Sequence, residues 1–205
     1  MSKKIIALIL AGLLACSALV SCGGTKDPVD NGDNGDTTTP APVVVTVPEL
    51  KDAVLGAYGD LFDPTNEMGL YLMDIPADIL ESTFGVQAAW VEEYAAGMPM
   101  MITNVDTYII VKPTEGNTEN VVAALESYHD YLVNDSFQYP KDLEKVRAAQ
   151  VFEKNGYVFF IMLGMLSEDV LYAEGTAEEI ATLQYDEAMA NNQKAIDAIN
   201  AVFGE

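Results

Sequence analysis

Neighbouring carboxylates are the groups in this sequence with the most evident chemical potential. Two carboxylates that face each other across a cleft can act as acid and base in the hydrolysis of glycosidic bonds. The candidate pairs along the chain include Glu92–Glu93, Asp142 with Glu144, Glu168–Asp169 and Glu178–Glu179. Their spacing distinguishes none of these pairs from the others, so the sequence predicts no catalytic residue.

A short strip of aromatic and acidic residues is the candidate for ligand binding. On a β-strand, Trp90, Glu92 and Tyr94 would point to one face, because side chains alternate along a strand. Aromatic rings beside a carboxylate are typical of surfaces that bind sugars. The same pattern also fits an exposed strand face whose two rings cover apolar surface. The sequence leaves both interpretations open.

The single histidine does not form a catalytic triad with its neighbours. Ser127 and His129 are two residues apart on a predicted helix, so their side chains point about 200° apart around its axis. No serine lies in the Gly-x-Ser-x-Gly turn of hydrolases. Glycine-rich phosphate loops, His-Glu-x-x-His and Cys-x-x-Cys are also absent from the sequence. We therefore expect no cofactor and no metal site.

The amino terminus has the composition of a bacterial export signal. Two lysines precede an uncharged apolar run at residues 5–20, which is shorter than the ~20 residues that a membrane-spanning helix needs. The run ends in Leu-Val-Ser-Cys at residues 19–22, which resembles the lipobox of lipoprotein precursors. That resemblance implies removal of residues 1–21 and attachment of lipid to Cys22. Since two acyl chains anchor a protein stably, we expect it on the extracytoplasmic face of the cell membrane.

The charge balance narrows the classes of partner. Asp and Glu outnumber Lys and Arg by 32 to 10, which gives a net charge of −22 at pH 7. Nucleic-acid binding depends on cations that displace counterions from phosphates, so no nucleic-acid partner is expected. Electrostatic docking on an anionic membrane is disfavoured because the protein has the same sign of charge. The two cysteines, Cys16 and Cys22, are too few for a disulfide-rich scaffold.

A change of composition separates a tether from a folded domain. Residues 22–45 are rich in Gly, Asp, Asn, Thr and Pro, and such a segment is predicted to be a flexible acidic tether. Its Asp30, Asp33 and Asp36 recur every third residue, whereas calcium loops use alternate positions and a closing Glu. Residues 46–205 contain the apolar periodicity of a core and are predicted to form one domain.

Capping signals and helical spacing predict the helices. Thr46–Glu49 and Thr176–Glu179 each match a capping box, in which the first and fourth residues cap each other. Apolar residues recur every three or four positions along the segments that follow. The predicted helices lie at residues 46–61, 76–84, 118–133 and 140–148 and from 176 onwards. Asparagine has a low helix propensity, so the last helix could bend at Asn191-Asn192.

Apolar runs predict the strands. The run at 157–163 is continuously apolar, so it is predicted to be a central strand covered on both faces. Asn155-Gly156 joins it to a strand at 150–154 in a predicted hairpin. A further strand is predicted at 107–111, while 88–96 suits either a helix or a strand. The predicted fold is α+β, a largely antiparallel sheet with helices packed on one side, and the order of elements is compatible with two ββα units.

The middle of the chain resembles a known family. Ser136-Phe-Gln-Tyr-Pro140, a short helix, and the hairpin through Lys154-Asn-Gly-Tyr-Val158-Phe-Phe-Ile161 carry the resemblance. They resemble lipoproteins of clostridial Firmicutes that contain domain of unknown function 4358. The resemblance covers roughly residues 48–165, and the part after Leu163 is longer than the usual ending of the family. It implies a strand at 88–96 and a Gram-positive surface, and it implies no activity.

These observations favour a binding or interaction module over an enzyme. A lipid anchor at Cys22 would hold an acidic domain outside the cell, where its partner would be an envelope polymer or another surface protein. The alternative is a carboxylate-dependent hydrolase that acts on an envelope polymer. The aromatic strip at Trp90, Glu92 and Tyr94 would serve either function.

Overall fold

The described part of the chain contains six α-helices and five strands. A computed structural model describes residues 45–205 except Met68 and Ile102, so the predicted signal, Cys22 and residues 23–44 of the tether lie outside the described residues. The helices are α1 (Val47–Gly56), α2 (Ala77–Phe84), α3 (Thr118–Asn134), α4 (Leu143–Arg147), α5 (Glu168–Leu171) and α6 (Ala177–Val202). The strands are β1 (Leu72–Asp74), β2 (Val91–Pro99), β3 (Thr107–Pro113), β4 (Gln150–Lys154) and β5 (Tyr157–Met162). Of these helices, none is both long and apolar enough to cross a membrane.

The strands form one antiparallel sheet in the order β1-β2-β3-β5-β4. In the pairing of β3 with β5, Ile109 lies opposite Phe160 and Ile110 opposite Phe159. Every residue of β5 is buried, as the continuous apolar run predicted. Asn155 and Gly156 connect β4 to β5 with φ values of 50° and 81°, as a two-residue hairpin turn requires. The predicted α+β class and antiparallel sheet are confirmed.

Helices cover both faces of the sheet, not the one side that the sequence predicted. On one face, α2, α3 and α4 enclose a first core that includes Ile109 and Phe160. On the other face, α1 and α6 enclose a second core that includes Ile110 and Phe159. The physical reason is that β3 and β5 carry apolar residues at consecutive positions, so both of their faces must be removed from water.

Two ββα units follow each other along the chain. β2 and β3 lead into α3, and β4 and β5 lead through α5 into α6. Because α3 packs in the first core and α6 in the second, the two long helices lie on opposite faces. A rotation that superimposed the two hairpins within this sheet would place both helices on the same face. The two units therefore share an order of elements but are not related by rotation.

Both predicted capping boxes are present. The Thr46 and Thr176 hydroxyls accept the backbone N–H of Glu49 and Glu179, and each glutamate carboxylate accepts the N–H of its threonine. Hydrogen bonds to the charged carboxylates lower the pKa of Glu49 and Glu179 below the ordinary value. These side-chain hydrogen bonds therefore determine where α1 and α6, the two helices of the second core, begin.

Acidification is expected to loosen the first turn of α6. Folding lowers the pKa of the Glu179 carboxyl, so its charged form stabilises the folded state at any pH above the pKa of the unfolded chain. This stabilisation is lost as the pH falls through the pKa of the folded protein. Protection of the first-turn amides from hydrogen exchange, corrected for the intrinsic rate, should decrease between about pH 5 and about pH 3. Glu179→Gln is the matched control, because an amide oxygen accepts the same N–H without titrating. An equal pH dependence in Glu179→Gln would contradict this assignment.

Candidate functional site

A small cavity opens where β2 ends, β3 begins and β5 ends, and we call this part of the domain the loop end. The cavity has a volume of about 160 Å³. Four parts of the chain line it: Leu70 before β1, the segment between β2 and β3 with Thr103, Asn104 and Asp106, the start of α4 with Lys141, Asp142 and Lys145, and the segment after β5 with Gly164, Met165, Leu166 and Leu171. Connecting segments held on a rigid sheet are where binding residues are most often found.

A buried ion pair between Asp106 and Lys145 forms the floor of this cavity. The Lys145 ammonium lies 2.7 Å from an Asp106 carboxylate oxygen, and the two side chains are only 8% and 1% exposed, respectively. The same oxygen accepts the backbone N–H of Gly164 at 2.7 Å. Three segments that are distant in sequence therefore meet at one atom. Each buried charge alone would cost several kcal/mol, and the pairing offsets this cost.

Burial shifts the pKa values of Asp106 and Lys145 in opposite directions. Desolvation raises the pKa of the Asp106 carboxyl, and the Lys145 ammonium and the Gly164 N–H counteract this effect. Desolvation also lowers the pKa of the Lys145 ammonium, and the Asp106 carboxylate counteracts that effect. Each group thus depends on the other for its charged state. Perturbed groups beside a cavity are a common feature of functional sites.

Two asparagines of α6 hold the segment after β5 in place. The Asn191 amide donates to the Met165 carbonyl oxygen at 2.8 Å, and the Asn192 side-chain oxygen accepts the Leu163 N–H at 2.9 Å. Gly164 has a φ of 101°, and a Cβ there would lie 2.7 Å from the Asn191 Cβ, so only glycine fits. α6 runs continuously through both asparagines, because their side chains bond to the neighbouring segment. Sequence reasoning treated them as a bend and missed this role.

Exposed apolar side chains lie on the segments that line the cavity or directly beside the lining residues in sequence. Met165 and Leu171 line the cavity directly and are exposed, and Tyr172, which follows Leu171, is 80% exposed. Met100 and Met101 follow β2 into the segment that supplies Thr103 and Asn104, and both are also largely exposed. Large apolar side chains gathered on adjoining loops are a typical mark of an interaction surface.

The chain enters the described domain at the opposite end of the sheet. Val45, the first described residue, accepts a hydrogen bond from the Tyr157 hydroxyl. Tyr157 begins β5, and the six residues of this strand end at Met162, next to the loop end. A strand of this length spans roughly 17 Å. The loop end therefore lies far from the point where residue 45 enters the domain.

Residues 88–96 form a strand for most of their length, as the family resemblance implied. Ala88–Trp90 is a single 3₁₀ turn, and β2 begins at Val91. A β-bulge shifts the pairing of β2 with β3 between Val91 and Glu93. Because a bulge inserts one extra residue, it interrupts the alternation of faces on which the predicted aromatic strip depends.

The structure places the three predicted binding residues in different surroundings. The Tyr94 ring packs against the first core, and its hydroxyl donates to the Ile75 carbonyl oxygen at 3.0 Å. The Glu92 carboxylate forms an ion pair with Lys112 at 2.6 Å. Trp90 also packs against the first core, but part of it lines an open groove between α2 and α3.

Two of the predicted carboxylates are buried near the loop end. Asp142 lines the cavity and lies 2.7 Å from the exposed Lys141 ammonium. Glu144 pairs with Arg147 at 2.6 Å. Asp142 and Asp106 therefore share one cavity, and each already has a cationic partner.

The serine and histidine of α3 are engaged elsewhere. The Ser127 hydroxyl donates to the Ala123 carbonyl oxygen at 2.7 Å, and His129 Nε2 lies 2.8 Å from the Val146 carbonyl oxygen. Neither contact activates a nucleophile. Within residues 45–205, Met68 and Ile102 apart, no three His, Cys, Asp or Glu side chains are grouped so that they could hold a metal ion.

A family comparison supports the resemblance noted in the sequence. Residues 68–163 match the family model for a domain of unknown function (DUF4358). The matched segment covers slightly less than half of the chain and contains all five strands, the Asp106–Lys145 pair and the groove beside Trp90. α1 and α6 lie outside it. No curated protein and no solved structure matches the chain.

Proposed function

We propose that this protein is a lipid-anchored binding module on the extracytoplasmic face of a bacterial cell membrane. In this proposal Cys22 carries the lipid, residues 23–45 form the tether, and the loop end binds an envelope polymer or a surface protein. The domain of unknown function matched by residues 68–163 supplies no activity, so the support for this proposal comes from the geometry of the described residues.

The position of the loop end is the observation that carries the proposal. A rigid floor, the Asp106–Lys145 pair, lies beneath a cavity with an exposed apolar rim. Concave sites with a few placed polar groups among apolar ones are the usual form of binding sites. Because Val45 enters at the opposite end of β5, a tether at Val45 would leave this surface free to meet a partner.

The charges favour a neutral or basic partner. Almost every cationic side chain of the described residues is already in an ion pair, namely Lys51, Lys112, Lys141, Lys145, Arg147 and Lys154. The remaining one, Lys194, donates to Asn191. Since acidic residues are in large excess, the outer surface is negative and repels anionic partners.

A photo-crosslinking amino acid at Met100 tests whether the loop end binds a partner. Incorporated into the intact lipoprotein in living cells, it should yield a defined covalent adduct after illumination. Glu115, which is exposed in the turn after β3 at the opposite end of the sheet, is the matched control position. Leu171→Asp in the same chain should reduce the adduct at Met100, because it places a charge on the apolar rim. Absence of an adduct at Met100, or equal adducts at both positions, would contradict the proposal.

A carboxylate-dependent hydrolase of an envelope polymer is the second candidate. Asp106 and Asp142 line one cavity, and burial raises the pKa of the Asp106 carboxyl, which is the environment of a catalytic acid. The salt bridges of both carboxylates favour binding over catalysis. Release of soluble fragments from purified envelope polymer, lost in Asp142→Asn, would favour the hydrolase instead.

A further inference from the structure

The groove beside Trp90 is a second concave surface, separate from the loop end. It lies between the end of α2 and one face of α3, and its volume is about 500 Å³. Pockets for small ligands commonly measure roughly 300–1,000 Å³. No residue that lines the groove also lines the loop-end cavity. The groove can therefore hold a ligand of its own.

Aromatic side chains form much of the lining of the groove. Trp90 is partly exposed, and Tyr131 is 53% exposed. Tyr128 packs on Phe84 with the ring centroids 4.4 Å apart, and its burial raises the pKa of the Tyr128 phenol to about 12. Packing against the first core fixes the Trp90 and Tyr128 rings, and the Tyr128 phenol is uncharged at neutral pH. The negative face of an aromatic ring attracts groups with a partial positive charge, such as the C–H bonds on one face of a sugar ring.

The polar side chains of the groove are neutral and offer hydrogen-bond acceptors. Thr83, Asn120 and Ser127 line it and are exposed. The Asn120 side-chain N–H donates to Asn117 at 2.8 Å, and the Ser127 hydroxyl donates to Ala123 at 2.7 Å. The Asn120 and Ser127 oxygen atoms can still accept. A ligand with many hydroxyl donors matches this set of groups.

The charges around the groove exclude anionic ligands. No Lys, Arg or His side chain lines it. Glu119 and Glu126 are exposed on α3 and directly precede the lining residues Asn120 and Ser127. A phosphate, sulfate or carboxylate in the groove would find no cationic partner among the lining side chains, and the net charge of −22 disfavours its approach.

We propose that the groove beside Trp90 binds a neutral saccharide. Sugar rings combine apolar C–H faces, which stack on aromatic rings, with hydroxyl groups, which donate to neutral acceptors. The proposal retains Trp90 from the predicted aromatic strip and gives it Tyr131, Asn120 and Ser127 as partners in place of Glu92 and Tyr94. It adds a glycan site to the domain and is independent of the partner proposed for the loop end.

Fluorescence of Trp90 provides a direct test, since this is the only tryptophan in the chain. The full-length lipoprotein, in a detergent without a sugar headgroup, is titrated with chitohexaose and with cellohexaose. At least one of these neutral oligosaccharides should shift the emission and reach saturation, with a Kd below about 1 mM. A hexamer of galacturonic acid, which has similar rings but carries carboxylates, should cause no saturable change.

Matched variants distinguish this site from the loop end. By calorimetry, Tyr131→Ala and Asn120→Ala should each weaken saccharide binding at least about fivefold, whereas Tyr172→Ala removes an exposed tyrosine at the loop end and should leave it unchanged. Absence of saturable binding of either neutral oligosaccharide, or equal binding of the anionic hexamer, would overturn the proposal. If the chain without further substitutions forms no adduct at Met100 but binds the saccharide, only the function proposed for the loop end would be overturned.

Discussion

Replacing Lys145 with methionine is expected to lower the free energy of unfolding by about 3–5 kcal/mol. Methionine retains the length of the side chain but leaves the Asp106 carboxylate, which is almost fully buried, without its cationic partner. The Gly164 N–H and the Asn104 side chain would then be the groups left to stabilise the charge. Protonation of Asp106 would relieve part of the cost, because burial already raises the pKa of its carboxyl.

Urea unfolding at neutral pH measures this loss. Lys112→Met is the matched control, because the ion pair of Lys112 with Glu92 is largely exposed and such pairs contribute about 0–1 kcal/mol. In the double variant Lys145→Met with Asp106→Asn, neither member of the pair carries a charge, so part of the lost stability should return. A Lys145→Met protein as stable as Lys112→Met would show that the pair does not hold the floor of the cavity.

Replacing Cys22 with serine is expected to abolish incorporation of labelled palmitate completely. A serine hydroxyl cannot form the thioether that the lipobox resemblance implies for this position. Two acyl chains, at about 0.8 kcal/mol per buried CH₂, supply the membrane affinity in the proposed function. Without them, the proposal has no anchor.

The chain provides its own control for this experiment. Cys16 is the only other cysteine and lies in the predicted signal, so Cys16→Ser should keep the full palmitate label. Intact-mass measurement of the wild-type protein from the native envelope should show a chain that begins at Cys22 and carries lipid. An unmodified wild-type chain, or a Cys22→Ser chain that still carries label, would refute the proposed anchoring.

Signals contained in a few neighbouring residues predicted the elements of the fold well. Asn155-Gly156 specified a hairpin because only a few residue types tolerate the positive φ values of its turn. Thr176 and Glu179 specified the start of α6 because each caps the other across one turn. The placement of helices on both faces was missed, although the continuous apolar run of β5 indicates that both faces of that strand are covered.

The residues of the loop end could not be found from the sequence in the same way. Asp106 lies 58 residues from Gly164, and Asn192 lies 29 residues from Leu163, so no local spacing connects them. Asp106 and Lys145 are ordinary charged residues until the fold buries them. Asp142 was selected as one of a pair of acids, but its place in the cavity beside Asp106 depends on how the connecting segments meet. Trp90 was selected as part of a strip on one strand face, whereas its neighbours in the groove come from α2 and α3.

Covering of the sheet on both faces has a practical consequence for recombinant work. A fragment cut at residues 68 and 163 would lack α1 and α6, and Ile110 and Phe159 would lose the helices that enclose them. An apolar sheet face of this kind in water would promote aggregation during expression. Clones that begin before Thr46 and extend beyond Val202 should give soluble material, whereas those trimmed to the family boundaries should accumulate in inclusion bodies.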